Sequence, residues 1–433
     1  MKYYSLNKQA PSVDFREATV AGQAPDKGLY FPDHIPAIDK DILQSLDKLS
    51  KEELSFRVMR PYVGDTISEE DLYRIVSETI NFPFPLVKIN DHISSLELFH
   101  GPTLAFKDVG ARFMSRCLGY FSGMGGKKTT VLVATSGDTG GAVANGFLGV
   151  DGVDVVILYP SGKVSPVQEL QLTTCGQNIT ALEVKGTFDD CQSMVKDAFM
   201  DGELQQRLRL TSANSINVAR WLPQQLYYLF ACQSWQDKSQ PPAICVPSGN
   251  FGNICAGLMA WAGGLPVTHF IAACNMNDAV PRYLQTGSYS PRNAVATISN
   301  AMDVGAPSNF VRVLEIFRSN YAELKEKISG YTISDDETKQ TIAAVNRSYD
   351  YVLDPHGAVA YCALDRYLKD HPAQKGIILE TAHPVKFPET VEAAIGHKLV
   401  MPASAQALLG KQKQSVLLEN SFGELKSFLL KNR

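Results

Sequence analysis

From about residue 128 the chain alternates short apolar or β-branched runs with stretches of helical spacing: TTVLVAT, DVVILYP, ITALEV, LRLTSAN, AICVPSG, VTHFIAACN and KGIILET. Runs this short and continuous predict strands buried on both faces, which are parallel strands joined by crossover helices. The alternation holds from 128 to about 275 and resumes near 355. The expected class is therefore α/β, with open parallel sheets flanked by helices. A chain of 433 residues exceeds what one core supports. We divide it into an N-terminal region, 1–95, a smaller α/β domain, 96–235, and a larger α/β domain, 236–433.

The rest of the chain is less regular. Residues 1–95 mix turn signals with two acidic segments, IDKDILQSLDKLSKEELSFRVMRPYV and SEEDLYRIVSETI, both read as helical. Ser68 ahead of Glu69, Glu70 and Asp71 marks a helix start. This region is read as scaffold or interface. Residues 285–350 carry helical stretches and a polar link, GYTISDDET, around 330–338. After 385 the pattern weakens, and ENSFGELKSFLLKN reads as one amphipathic helix.

Composition removes several classes of function. Acids number 45 against 41 bases, and no basic block or stripe appears, so neither nucleic acid nor membrane is an expected partner. No window approaches the ~20 apolar residues that span a bilayer, and MKYYSLNKQ has no signal-peptide core. Eight cysteines lack metal or redox spacing and are read as reduced core thiols of a cytoplasmic protein; no metal is expected. GMGGKKTT imitates a phosphate-binding loop, but Lys128 stands where a magnesium-holding hydroxyl is required. No G-x-G-x-x-G, G-x-S-x-G or H-E-x-x-H occurs.

Three stretches carry chemistry. In LELFHGPTLAFKDVGAR, Lys107 follows apolar Leu104, Ala105 and Phe106. Burial there would disfavour the ammonium and free the amine as a nucleophile; a surface lysine covering apolar neighbours at a helix start fits the same residues. VLVATSGDTGGAVANGF and AICVPSGNFGNICAGLMA share one plan of strand, glycine-rich turn and helix. Glycines let the backbone approach a ligand, and the helix N-terminus presents free N–H groups, so each turn is an anion cup or simply a tight, capped reversal. One amine nucleophile with two anion cups suits pyridoxal 5'-phosphate and an amino-acid substrate.

HGPTLAFKD, TSGDTG, PSGNFGN and TAHP, in that order, with SANSIN (212–217) and NAMDV-x-x-PSN (300–309), resemble the threonine synthase family of fold type II pyridoxal phosphate enzymes. The resemblance runs from GLYFP near residue 28 to TAHPVKF at 381–387; the last 20 or so residues add nothing to it. Val109 and Ala111 depart from the pattern only as apolar replacements. The resemblance implies a fold type II enzyme with an additional N-terminal region. Lys107 would hold the cofactor as a Schiff base and act as base toward Cα. Gly249, Asn250, Phe251, Gly252 and Asn253 would cradle its phosphate, and Thr381 would bond its pyridine nitrogen. Ser136, Gly137, Asp138 and Thr139 would receive the substrate α-carboxylate, with Asp138 near the cofactor 3-oxygen. An acid in an anion cup requires either that backbone N–H groups outweigh it or that it faces away. The implied substrate is O-phospho-L-homoserine, converted with water to L-threonine and phosphate by β,γ-replacement.

For the γ-phosphate, Asn214, Arg220 and Lys163 are candidates, although both cations fit solvated surface positions equally. Asp303 would orient one of them, and His100 is a proton relay or, more simply, a packed side chain. A serine/threonine dehydratase or another β-eliminating or β-replacing enzyme of the same fold is the alternative, and a non-catalytic cofactor-binding relative the second. A monomer or homodimer is expected.

Overall fold

A computed structural model describes residues 1–124 and 128–432; Gly125, Gly126 and Lys127 of the GMGGKKTT run lie outside the described residues. In the N-terminal region β1 (Tyr3–Ser5) and β2 (Tyr30–Pro32) pair antiparallel. β3 (Leu86–Lys88) and β4 (Ile93–Glu97) come next. They are followed by β5 (Thr129–Ala134), β6 (Val153–Pro160), β7 (Ile179–Lys185) and β8 (Arg209–Ser212). The last strands are β9 (Ala243–Pro247), β10 (His269–Cys274), β11 (Ile328–Thr332), β12 (Gly376–Glu380) and β13 (Val416–Glu419).

These strands build two open sheets. The first has six strands in the order β11-β10-β9-β12-β4-β3, parallel except where β3 meets β4. The second has five parallel strands in the order β13-β7-β6-β5-β8. β5, β6, β9 and β12 are buried along their whole length, the reason they stand out as continuous apolar runs. The α/β class and its parallel sheets are therefore as expected.

Strand membership crosses the expected 96–235 and 236–433 boundaries. β4 sits inside the six-stranded sheet although most of it precedes residue 96, and β13 returns from the C-terminus to the edge of the five-stranded sheet. The supposed polar link at 330–338 includes the end of β11, an edge strand, and the start of the Asp335–Tyr349 helix, which Ser334 and Glu337 cap reciprocally. Edge strands β11 and β13 are only partly covered: β11, ISGYT, has no continuous apolar run, and that of β13 is only Val416, Leu417 and Leu418. The first acidic N-terminal segment forms two helices, Lys40–Gln44 and Lys51–Val63, because Ser50 caps a new start by accepting from Glu53 N–H. Ser68 caps Glu69–Thr79 as expected, and Phe422–Asn432 forms the C-terminal helix.

In both sheets the chain reverses its winding once. It winds from β9 to β10 and β11 on one side of the first sheet, with β12 and β4 on the other; it winds from β5 to β6 and β7 in the second, with β8 opposite. Loops at the carboxyl ends of strands around such reversals diverge and leave a crevice. Those loops hold residues 248–253 and 381–383 in one sheet and 135–139 and 213–217 in the other. After β4 and the loop at 98–106 the chain enters the Lys107–Gly123 helix, which buries Val109, Phe113, Met114, Cys117, Leu118 and Phe121. Each such side chain contributes about 1.5–3 kcal/mol on burial, enough to fix the helix whose first residue is Lys107. Phe15 from the N-terminal region packs at 6.3 Å on both Phe113 and Phe121. No helix among the described residues is long and apolar enough to cross a membrane.

Candidate active site

Lys107 is placed by stitching its loop onto the end of β12. Phe106 N–H donates to Thr381 O at 2.9 Å and His383 N–H to Leu104 O at 3.0 Å, while Ala105 bridges Ala382. Leu104 adopts φ +58° to make this reversal. Asp108, buried at the second helical position, accepts from Thr103 N–H at 2.9 Å and Thr103 Oγ1 at 2.5 Å. A Cβ on Gly101 would stand 2.4 Å from Asp108 Oδ2, which is why HGPT needs glycine there. Tyr227 hydroxyl donates to Phe106 O, and Arg220 Nη1 to Lys107 O at 3.1 Å.

The Lys107 amine faces a cavity of about 1940 Å³, which Thr381 also lines. Burial is the main reason its ammonium is destabilised below the ordinary lysine range; Asp138 opposes the shift, and Lys386 and Arg220 add to it. The amine is thus biased toward its neutral, nucleophilic form.

Both glycine-rich turns open on this cavity. After β9, Gly249, Asn250, Phe251, Gly252 and Asn253 all line it. Phe251 takes a left-handed φ of +63° at the start of the Gly252–Ala262 helix, whose first-turn N–H groups have no intrahelical partners. The amide side chains are spent on the protein. Asn250 donates to Ser215 Oγ at 2.6 Å and accepts from Ser308 N–H at 2.6 Å; Asn253 donates to Pro247 O at 2.8 Å and accepts from Ile254 N–H at 2.9 Å. What the turn offers an anion is therefore backbone. A Cβ on Gly249 would come within 2.7 Å of Met302 Cα, so only glycine fits beneath the Asn300–Met302 turn.

After β5 the arrangement differs. Ser136 and Thr139 line the cavity; Gly137 and Asp138 are not among its lining residues. Thr135 Oγ1 accepts from Gly137 N–H at 2.9 Å and Gly140 N–H at 2.8 Å. Gly137 has φ +138°, and a Cβ there would lie 2.5 Å from Gln168 Cδ. Asp138 is buried and pairs at 2.7 Å with Lys386, also buried. Burial alone would raise its pKa, but Lys386 and then Lys107 override this and hold the carboxyl well below its usual range. Of the two ways to tolerate an acid in this cup, Asp138 takes the second, turned away and neutralised.

Asn214, Arg220 and Lys163 also line the cavity. Lys163 is exposed, whereas Arg220 is 4% exposed, so the surface alternative fails for Arg220. Its Nε donates to Ala213 O at 2.7 Å, and burial lowers its pKa to about 10. Among the described residues it pairs with no carboxylate, leaving a positive group toward the cavity. Among the described residues Asp303 pairs with no cation: it accepts from Thr297 N–H and Oγ1 and from Asn275 and Asn277. His100 lies at the surface, its ring packed at 4.8 Å on Phe99 and its Nε2 2.7 Å from Glu97.

Three residues escaped sequence reasoning. Lys386 lies in TAHPVKF beside Thr381, and its position there was the available signal. Arg312, fully buried, donates to Ser215 O at 3.0 Å, Ile216 O at 2.7 Å and Tyr30 O at 3.0 Å, fixing the SANSIN loop; FVRVLEI gave no sign of this. His356 lines the cavity, bonded through Nδ1 to Asp354 at 2.5 Å, while Nε2 accepts from Ala301 N–H at 3.2 Å.

Comparison with known proteins agrees with this geometry. Residues 2–80 match the family described as threonine synthase N terminus, 88–380 that of pyridoxal-phosphate dependent enzymes, and 357–429 that of threonine synthase, C-terminal. The similarity therefore extends past residue 387, into the tail that carries β13. Threonine synthase of Haemophilus influenzae is 44% identical over 437 residues, spanning 100% of both chains, and that of Escherichia coli strain K12 is 46% identical over 403 residues, 93% of each. The crystal structure of threonine synthase from Escherichia coli matches with a TM-score of 0.92 at 42% identity over 100% of both chains. The PLP-bound threonine synthase from Brucella melitensis matches at 0.93 and 36% identity, over 99% of this chain and 98% of the other. A lysine amine biased toward neutrality, set between two helix-headed glycine turns, thus occurs in a chain that belongs to the threonine synthase family of pyridoxal-phosphate dependent enzymes.

Proposed function

We propose that this protein converts O-phospho-L-homoserine and water to L-threonine and phosphate, using pyridoxal 5'-phosphate held by Lys107. The observation that carries this reading is the Lys107 amine, displaced toward its neutral form, sharing a cavity with two anion-receptive turns and the unpaired Arg220 cation. The residues present suit the cofactor. Gly249 lets the turn pack against the Met302 backbone and still line the cavity, the first turn of the Gly252–Ala262 helix offers N–H groups to its phosphate, and Thr381 offers a neutral hydroxyl to its ring nitrogen. Once bound, the cofactor supplies an electron-accepting ring that stabilises negative charge left on the substrate carbons.

The chain's own residues do the rest. Lys107, released when the substrate amine takes its place, accepts the Cα proton. Ser136 and Thr139, the two residues of that turn that line the cavity, hold the α-carboxylate through their hydroxyls and backbone N–H groups, while Gly137 N–H stays on Thr135 Oγ1. Arg220 and Asn214, with Lys163 at the rim, hold the γ-phosphate. The Cγ–O bond breaks as phosphate departs with its electron pair, and the proton lost at Cβ is balanced by the one gained at Cγ, which becomes the methyl group. Water then adds its hydroxyl to Cβ, its second proton going to the released phosphate, and Lys107 returns the proton to Cα. The eight cysteines are free thiols, six of them buried, which supports a reducing, cytoplasmic setting for a monomer or homodimer.

Phosphate release from O-phospho-L-homoserine, measured beside keto-acid formation from threonine, tests the reading. Phosphate without appreciable keto acid is expected. Keto acid without phosphate would make the protein a dehydratase, and neither product would make it a non-catalytic relative.

A further inference from the structure

Lys386 has three N–H donors, and all three are engaged inside the protein. They meet Asp138 Oδ1 at 2.7 Å, Thr103 O at 2.9 Å and Gln171 Oε1 at 3.1 Å. Thr103 belongs to the loop leading to Lys107, Asp138 to the turn after β5, and Gln171 to the Pro166–Thr173 helix. Lys386 itself follows β12, in the other sheet. Asp138 Oδ1 also accepts from Gln168 Nε2 at 2.9 Å, and Gln168 occupies the space beside Gly137 that a Cβ would need. Gln168 is in turn fixed by its reciprocal cap with Ser165.

We propose that Lys386 is a positioning residue for the reaction: by cancelling the Asp138 charge it leaves the Ser136–Thr139 turn receptive to a substrate carboxylate, and by gripping Thr103 it registers that turn against the Lys107 loop. The proposal rests on reading that turn as the carboxylate site. An uncompensated carboxylate at Asp138 would repel the anion the turn is shaped to take, and a buried charge without its partner is strongly unfavourable. The pair also joins loops from two separate sheets, so the distance between cup and amine depends on it. The titratable groups around it are Lys107, Asp108 and His383, each of which feels Lys386, and Arg220, which acts on Lys107.

A charge cycle tests this, with K386M, D138N and the K386M/D138N double variant in the cofactor-loaded protein. Two quantities are read: the pH midpoint of the visible absorption without substrate, which reports protonation at the Lys107 nitrogen, and kcat and KM for O-phospho-L-homoserine. K386M bares the Asp138 charge, so the midpoint should rise by about one pH unit, and KM should rise at least tenfold, more than kcat falls. D138N leaves the Lys386 cation and should move the midpoint down. The neutral double variant should bring KM back to within about threefold of wild type and restore the midpoint. A double variant no better than K386M would overturn the proposal, as would a K386M protein with lowered melting temperature but unchanged KM and midpoint. If K386M does not fold, restoration of the D138N midpoint in the double variant supports the pair's role, and no restoration overturns it. Wild-type protein that releases no phosphate would overturn the proposed function instead, while the absorption midpoints still decide the pair.

Discussion

The two glycine-rich turns have the same strand–turn–helix plan but are held in different ways. The Gly249–Asn253 turn is wired by neutral amides: Asn250 and Asn253 spend their side chains on Ser215, Ser308 and Pro247. The Ser136–Thr139 turn is backed by a buried ion pair, Asp138 with Lys386, and by Gln168. Neutral wiring suits a group that stays bound through many turnovers, because it changes little with pH. Charged wiring next to Lys107 couples the second turn to the protonation of the amine. A shared local plan therefore does not imply a shared electrostatic role.

The comparison can be broken at several points. Lys107→Ala serves both turns at once and should reduce turnover by about 10⁴-fold or more, because nucleophile and base leave together; retained phosphate release would remove the lysine from the centre of the site. Arg220→Met should raise KM for O-phospho-L-homoserine by about 30-fold or more, the effect of deleting a buried charge that meets an anion. Cofactor affinity, followed by absorbance titration, should change far less; an unchanged KM would retire Arg220 from phosphate binding.

Gly249→Ala and Gly137→Ala separate the turns directly. The first adds a methyl against Met302, the second against Gln168 at φ +138°. Each should cost about tenfold through overpacking or backbone strain, the first in cofactor affinity and the second in substrate KM. If both variants change the same constant, the turns do not divide the work as proposed.

The smallest expected effect is on stability against pH. Burial, and then the neighbouring His100, lower the His383 pKa from 6.5 to about 4. The unfolded chain therefore takes up a proton that the native state refuses, and stability falls as pH drops from 6.5 toward 4. His383→Asn should flatten that slope in urea unfolding while keeping an acceptor for Val385 N–H. His269, also lowered to about 4, contributes to the same window and stays in place. An unchanged slope would show that His383 is not held neutral beside Lys386.

The parts readable from sequence were those whose signal is local. Continuous burial made β5, β6, β9 and β12 visible as apolar runs. Glycines that a Cβ would spoil, Gly137 and Gly249, marked the two turns, and Lys107 stood out against its apolar neighbours. What escaped depends on contacts between distant segments. β11 and β13 lie on sheet edges with partly covered or exposed side chains, and β4 hides in ISSLE because Ser94 and Glu97 are only partly buried and the buried Ser95 is polar. The role of Asp138 could not be settled without Lys386, which comes from the other sheet. Arg312 bonds to carbonyl groups rather than to an acid, so no charge pattern pointed to it.

The most direct measurement is borohydride reduction of the cofactor-loaded protein followed by peptide mass mapping. Loss of the visible band, with the reduced pyridoxyl phosphate on the peptide containing Lys107, is the expected result. A label on any other lysine, or a visible band untouched by borohydride, would contradict it.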